Sequence, residues 1–299
     1  MVSLYNAWRR MHGAMSRSRT FAAHRPIASA CGAAIALVLA PDVAGAEVRL
    51  DAHYSITVTG LPVGESAWSV EIAKDHYTAT ARSRMRGVAR WLVRGEAAAT
   101  AQGVIRDGRL MTTEFKSKAD TEDEKSETRM TVEAGQAKDI SDTSSETARD
   151  RVPVPEEHRR DIIDPISAMI IAAPPEGDAL PRSACERTLP VFDGRRRYDL
   201  KLAFKRMDKV KAAEGYAGPA VVCSMKMLPL SGHRAGGLLV AYLTEGRDME
   251  LWLAPITGTR LLAPFRVSVG GMVTPINMQA TRFEATEVQE QATAGTRAQ

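Results

Sequence analysis

Apolar and polar residues alternate along most of this chain. In "HYSITVTG", Tyr54, Ile56 and Val58 share one face, and in "SAWSVEIA" Trp68, Val70 and Ile72 do the same. The segments "HYTATARSRM", "AAATAQGVI", "RLMTTEFKSK" and "SETRMTVEA" continue the pattern, separated by turn sequences such as "RDGR" and "EAGQ". A period of two over strand-length segments predicts half-buried β-strands. The second half repeats the pattern in "RYDLKLAFKR", "PAVVCSMKML", "GLLVAYLTE", "MELWLAP", "LLAPFRVSVGG" and "INMQATRFEA". About a dozen strands at this spacing predict a mainly β fold, with one large antiparallel meander curled into an open barrel or β-spiral.

Two segments depart from the period of two, so one or two short helices should pack on or in the sheet. "RGVARWLVRG" has Val88, Trp91 and Leu92 at helical spacing, with Arg86, Arg90 and Arg94 on another face. "DIIDPISAMIIAAPP" predicts a helix from Pro165 to Pro174 with Asp164 as its N-cap. Residues 118–150, rich in Asp, Glu, Ser and Thr, read as exposed hairpins, and the tail 287–299 as disordered.

The N-terminus changes how the charge is read. Five arginines precede the apolar run Ile27 to Ala40, which is followed by the small residues Ala44 and Ala46. This order matches a cleaved export signal over residues 1–46, cut after Ala46. The apolar run falls short of the roughly 20 residues that span a bilayer, so no transmembrane anchor is expected. The leader holds five of the 40 basic residues and one of the 36 acidic ones, leaving 35 of each in a single β-rich domain over 47–286. A nucleic-acid partner, which would need a basic surface, is therefore not expected.

Two of the three cysteines lie beyond the leader, Cys185 and Cys223. In an exported chain an even pair predicts a disulfide, the alternative being two buried thiols. The bridge would close a loop of about 39 residues, worth up to roughly 4 kcal/mol in the chain-entropy model.

Catalytic signatures are sparse. The four histidines beyond the leader, His53, His76, His158 and His233, show no metal-ligand spacing. There is no nucleophile elbow, Walker loop or dinucleotide glycine pattern, so neither catalysis nor a cofactor nor a metal is expected. "SGHRAGG" reads as a wide loop, or as a polar site around His233 and Arg234. The segment Arg86 to Arg94 reads as a lid whose Val88, Trp91 and Leu92 line an apolar pocket.

"VFDGRRRYDL" raises a separate question about three arginines. Asp193-Gly194 is a strong signal for a two-residue type I′ hairpin. On that register Arg195 and Arg197 face solvent with Asp199 and Lys201. Arg196 joins the apolar face of Tyr198, Leu200, Leu202 and Phe204, at the rim. Arg196 would then either pair with a carboxylate or, beside Tyr198, meet an anionic headgroup.

"DPISAM", "CERTLPVFDGRRRYDL", "GYAGPAVVC", "PLSGHR", "LWLAP" and "RLLAPF" together resemble the periplasmic family catalogued as domain of unknown function 3108. The likeness runs from about Ala52 to Phe283 and is densest from Asp164 onward. It implies a disulfide in which Cys185 precedes one strand and Cys223 lies in the next strand but one. The pattern is also similar, at the level of fold, to lipoprotein carriers and EipB-type envelope proteins. That likeness implies a periplasmic, non-catalytic role in envelope integrity, with a lipid or acyl chain or an envelope protein bound in a concave sheet. A scaffold with a filled core is the alternative, and a hydrolase of envelope polymers the third reading.

Overall fold

The computed structural model describes residues 47–85, 95–106, 108–121, 125–144, 151–174, 176–234, 248–270 and 275–288. The first half is a meander of seven long strands: β1 (Glu47–Val58), β2 (Leu61–Ile72), β3 (His76–Met85), β4 (Gly95–Arg106), β5 (Arg109–Thr121), β6 (Lys125–Glu133) and β7 (Gln136–Asp142). Two of its turns have paired positive φ, at Thr59-Gly60 (50° and 82°) and Ala134-Gly135 (48° and 79°), as a two-residue hairpin requires. The second half contains β8 (Ile171–Ala172), β9 (Arg187–Phe192), β10 (Arg197–Lys211), β11 (Glu214–Gly215), β12 (Ala217–Ser231), β13 (Met249–Pro255), β14 (Leu261–Val269) and β15 (Ile276–Val288).

All fifteen strands belong to one sheet. Its order is β7-β6-β5-β4-β3-β2-β1-β15-β14-β13-β12-β10-β9, with β8 pairing β14 and β11 pairing β15. The two meanders are therefore joined through the first and last strands. β1 and β15 run antiparallel from Glu47 opposite Val288 to Val58 opposite Ile276, with a bulge at His53/Tyr54.

The sheet curls without closing its own ladder. Residues 151–164 form a strap between its two edges: Ile162 N–H donates to Gly135 O (3.2 Å), and Ile163 N–H to Pro190 O (3.0 Å). Phe192 N–H returns a bond to Ile163 O (3.0 Å). Phe115, Met130, Val132 and Ala137 of one half pack with Ile162 of the strap and Phe192 of the other half. The strap thus satisfies part of both exposed edges, which are otherwise open to pairing with another chain.

The main core fills the inside of the curl, with Leu50, Tyr54, Val70 and Tyr77 against Val222, Trp252, Phe265 and Phe283. The tip between β10 and β12 folds inward, and Tyr216 packs on Phe265 and Phe283. A second core lies on the opposite face of β10 and β12–β14, where Val221, Cys223, Met225, Leu251 and Leu253 meet Ile171, Leu180 and Ala184. Strands buried on both faces account for the near-continuous apolar runs of "PAVVCSM" and "LLAPF".

This double burial corrects the helix expected from Pro165 to Pro174. Only Ser167–Met169 turn, as a single 3-10 turn, before β8. Ile170 enters the inner core and Ile171 the outer one. Adjacent residues on opposite faces require extended backbone, and pairing of Ile171 with Leu262 satisfies it. Asp164 nevertheless acts as the expected cap: its Oδ1 accepts from the N–H groups of Ile166 (2.8 Å) and Ser167 (3.0 Å).

Cys185 and Cys223 form a disulfide, with Cα atoms 5.2 Å apart. Cys185 ends a 3-10 turn (Arg182–Cys185) just before β9, and Cys223 lies on β12, two strands across the sheet. The bond fastens the cover of the outer core to the sheet. Among the described residues, no helix is long and apolar enough to cross a membrane.

Candidate functional site

Strand register builds the site. On the inner face, three rows of side chains cross β1 to β6 in order. The deepest is Leu50, Val70, Ala79, Ala101, Phe115 and Met130. The next is Ala52, Trp68, Ala81, Ala99, Ser117 and Thr128. The third is Tyr54, Ser66, Ser83, Ala97, Ala119 and Ser126.

The deepest row is fully buried, whereas Ser83, Ala99, Ser117 and Ala119 are half-buried and Ala97 is exposed. Four strands in a row carry only Ala, Ser or Thr at these positions, so side chains cannot fill the curl there. The result is the deeper of two hollows, of about 310 Å³, lined by Trp68, Ala81, Ala99, Ser117, Ile166 and Met278. It adjoins a wider hollow of about 1180 Å³, lined mostly by the alternate positions of the same strands, which carry Glu65, Arg82, Arg84, Glu96, Lys118 and Glu127. Ser66, Ser83, Ala97 and Ser126 line both.

Two hydroxyls of this wall are satisfied by the wall itself. Ser66 donates to Arg82 O (3.1 Å) and accepts from Ser83 Oγ (2.9 Å). An apolar guest would therefore leave these two serines hydrogen-bonded. Charges around the opening also pair among themselves: Arg84 with Glu65 (3.1 Å), Lys118 with Glu127 (3.1 Å) and Lys125 with Asp120 (3.0 Å). Among the described residues, no cluster of His, Cys, Asp or Glu is placed to hold a metal.

The expected pocket residues Val88, Trp91 and Leu92 lie outside the described residues. Their flanking strands stop at Met85 and Gly95, which pair with Gly64 and Thr121 beyond the third row, at the open end of the hollow. Cleavage after Ala46 also falls outside, and β1 begins at the next residue, Glu47.

The expected two-residue turn at Asp193-Gly194 is corrected to a four-residue loop, Asp193 to Arg196, because Phe192 pairs with Arg197. Only Gly194 takes positive φ, at 89°. The Asp193 carboxylate instead accepts from the N–H groups of Arg195 (2.9 Å) and Arg196 (2.6 Å), winding the loop locally. A bulge at Arg197/Tyr198 then shifts the strand. Arg197 is not solvated as expected but 9% exposed, its Nη1 donating to Asp199 Oδ1 (2.6 Å) and Tyr198 O (2.8 Å).

Arg195 is likewise turned inward, 3.7 Å from Asp142 across the seam between the sheet edges, and lines the deeper hollow. Arg196 is half-buried in the loop rather than on the strand. Its side chain forms no ion pair with any described residue. Tyr198 is half-buried, and burial, followed by the nearby Asp193 charge, holds its phenol well above the ordinary range.

A buried polar network went unread in the sequence. Asp164, fully buried, accepts from Thr112 Oγ1 at 2.6 Å, and Tyr77 Oη lies 2.6 Å from Ser167 Oγ. These bonds hold the end of the strap to the inner wall. Burial pushes the Asp164 carboxyl above its ordinary pKa, and hydrogen bonds from Ser167 and Thr112 oppose that shift. Only its place before an apolar run marked Asp164 in the sequence; nothing local marked Thr112 or Tyr77.

The model of the family described as "Protein of unknown function (DUF3108)" matches residues 53–279. No curated protein matches the chain. Among solved structures, the β-barrel-like protein of domain of unknown function DUF1849 from Brucella abortus is 7% identical, with a TM-score of 0.47; the match covers 81% of this chain and 98% of that one. A candidate lipoprotein from Parabacteroides distasonis is also 7% identical, at a TM-score of 0.33, covering 79% and 94%. Neither likeness is close enough to carry an argument about function.

Proposed function

The chain belongs to the DUF3108 family, whose description names no activity, and from its own geometry we propose that it is a non-catalytic binding protein of the periplasm. Its hollow takes the apolar part of a lipid-like ligand, in the service of the cell envelope. The observation that carries this reading is the alignment of Ala and Ser across β3 to β6, which leaves the curl unfilled where a scaffold would pack large side chains. The volume is that of a small-molecule pocket, on the order of 300–1,000 Å³ or above. Trp68, Ile166 and Met278 provide an apolar floor, and Ser66 and Ser83 of the wall are already hydrogen-bonded to each other.

Export is supported by the leader and by the disulfide, which persists in an oxidising compartment. The secreted protein is expected to begin at Glu47; an intact mass that retains the leader would count against this.

Binding is tested by filling the hollow. Native mass spectrometry of wild type incubated with phospholipid vesicles is expected to show a lipid adduct. Ala99→Phe is expected to reduce that adduct about tenfold or more by removing the space, with a melting temperature within a few degrees of wild type. A wild type that carries no lipid, or an Ala99→Phe variant that carries as much, would refute the reading.

A further inference from the structure

The strap that bridges the sheet edges also builds a junction with the end of β12. Val152 N–H donates to His233 O (3.0 Å) and Gly232 N–H to Val152 O (2.8 Å). Ser231, 1% exposed, pairs in register with Arg197, and its hydroxyl lies 2.9 Å from His158 Nδ1. Gly232, at φ 76°, packs closely on the β9–β10 loop: a β-carbon there would stand 1.9 Å from Arg195 O and 2.8 Å from Arg196 Cα. Three segments far apart in sequence therefore meet at Ser231, and they carry His158, Arg159, Arg196, Arg197 and His233.

Several nitrogens of these side chains are short of partners. Arg159 Nε, Arg197 Nε and His233 Nδ1 are buried without a hydrogen-bond partner. The side chains of Arg159 and Arg196 form no ion pair among the described residues. Three carboxylates beside these segments are already engaged, Asp199 with Arg197 Nη1, Asp193 with backbone N–H groups and Glu156 with Arg160. Buried donors are rarely left unmet, and an ion is among the ordinary explanations when several occur together. Guanidinium groups pair with phosphate by parallel N–H···O bonds, and phosphate offers several acceptor oxygens and up to two charges to one cluster.

We propose that this junction binds a phosphate group, either free or in a lipid headgroup. The site shares the β9–β10 loop with the deeper hollow, which Asp193 and Arg195 line, but phosphate binding at the junction requires no apolar ligand there.

Thermal unfolding of the full chain with increasing inorganic phosphate, at an ionic strength held constant with sodium chloride, tests the site. The melting temperature is expected to rise and saturate. Arg196→Gln and Arg159→Gln are each expected to weaken the apparent affinity about tenfold or more, the loss of a charge-assisted hydrogen bond. Neither side chain holds an ion pair with a described residue, so both variants should fold; if one does not, the other carries the test alone.

Flotation with phosphatidylglycerol vesicles separates the sources. Vesicle binding that requires these arginines identifies a lipid phosphate. Stabilisation by free phosphate without vesicle binding identifies a soluble one. If phosphate moves wild type and variants equally or not at all, and vesicle binding ignores the arginines, the proposal is overturned.

Discussion

Asp164→Ala is expected to destabilise the protein by roughly 3–5 kcal/mol, measured by urea unfolding at neutral pH. The substitution leaves the N–H groups of Ile166 and Ser167 and the Thr112 hydroxyl without the acceptor they share. Each orphaned buried donor costs on the order of 1–3 kcal/mol. It also frees the strap end that closes the curl. A loss below about 1 kcal/mol would show that water replaces the carboxylate, and that the strap is held elsewhere.

Asp164→Asn separates geometry from charge. The amide keeps an acceptor for the two N–H groups and can donate to Thr112, while removing a buried charge that forms no ion pair among the described residues. Burial raises the native Asp164 pKa, so the native state holds this proton to higher pH than the unfolded chain does. Its contribution to stability is therefore present below the unfolded pKa and is lost as pH rises through the folded one. The stability of Asp164→Asn relative to wild type should rise with pH across that window. A difference that stays constant with pH, or shrinks as pH rises, would mean that the hydrogen bonds outweigh burial.

The other large effect is at the disulfide. Replacing Cys185 and Cys223 together by alanine is expected to cost about 2–4 kcal/mol, because the unfolded chain regains the freedom of the closed loop. The cysteines lie 38 residues apart in sequence. The loss should be local as well as global. Leu180, Ala184 and Ile171 cover the outer core, and the bond fastens that cover to β12. Amides of β12 and β13 should exchange faster in the double variant than those of β1 to β3. Uniform protection across the sheet would show that the cover docks without the bond.

Period-two alternation and turn residues are local properties, and they made the strands and the curled meander legible in the sequence. The same locality explains the two misreadings. "ISAMIIAA" looks helical because it is apolar throughout, yet it is apolar because it lies between two cores and shows one residue to each. "DG" promises a two-residue turn, yet Asp193 spends its carboxylate on Arg195 and Arg196 and lengthens the loop.

The hollow shows the limit most clearly. "TATARS" and "AAATAQ" display their small residues openly, but alanine on a single strand says only that the strand is tightly packed or weakly packed. A void appears only when register sets Ser83 beside Ala97, Ala97 beside Ala119 and Ala119 beside Ser126. The junction at Ser231 likewise needs the strap, the β9–β10 loop and the end of β12 to meet.

The sequence by itself determined that this chain forms strands, which faces of them are apolar, and that Cys185 and Cys223 are present to pair. Tertiary structure alone decided that β1 joins β15, that the edges are bridged by a strap, and where side chains fail to fill the interior. The physical reason is range. Alternation is written between neighbours in the chain, whereas register, closure and empty space are set by residues that meet only after folding.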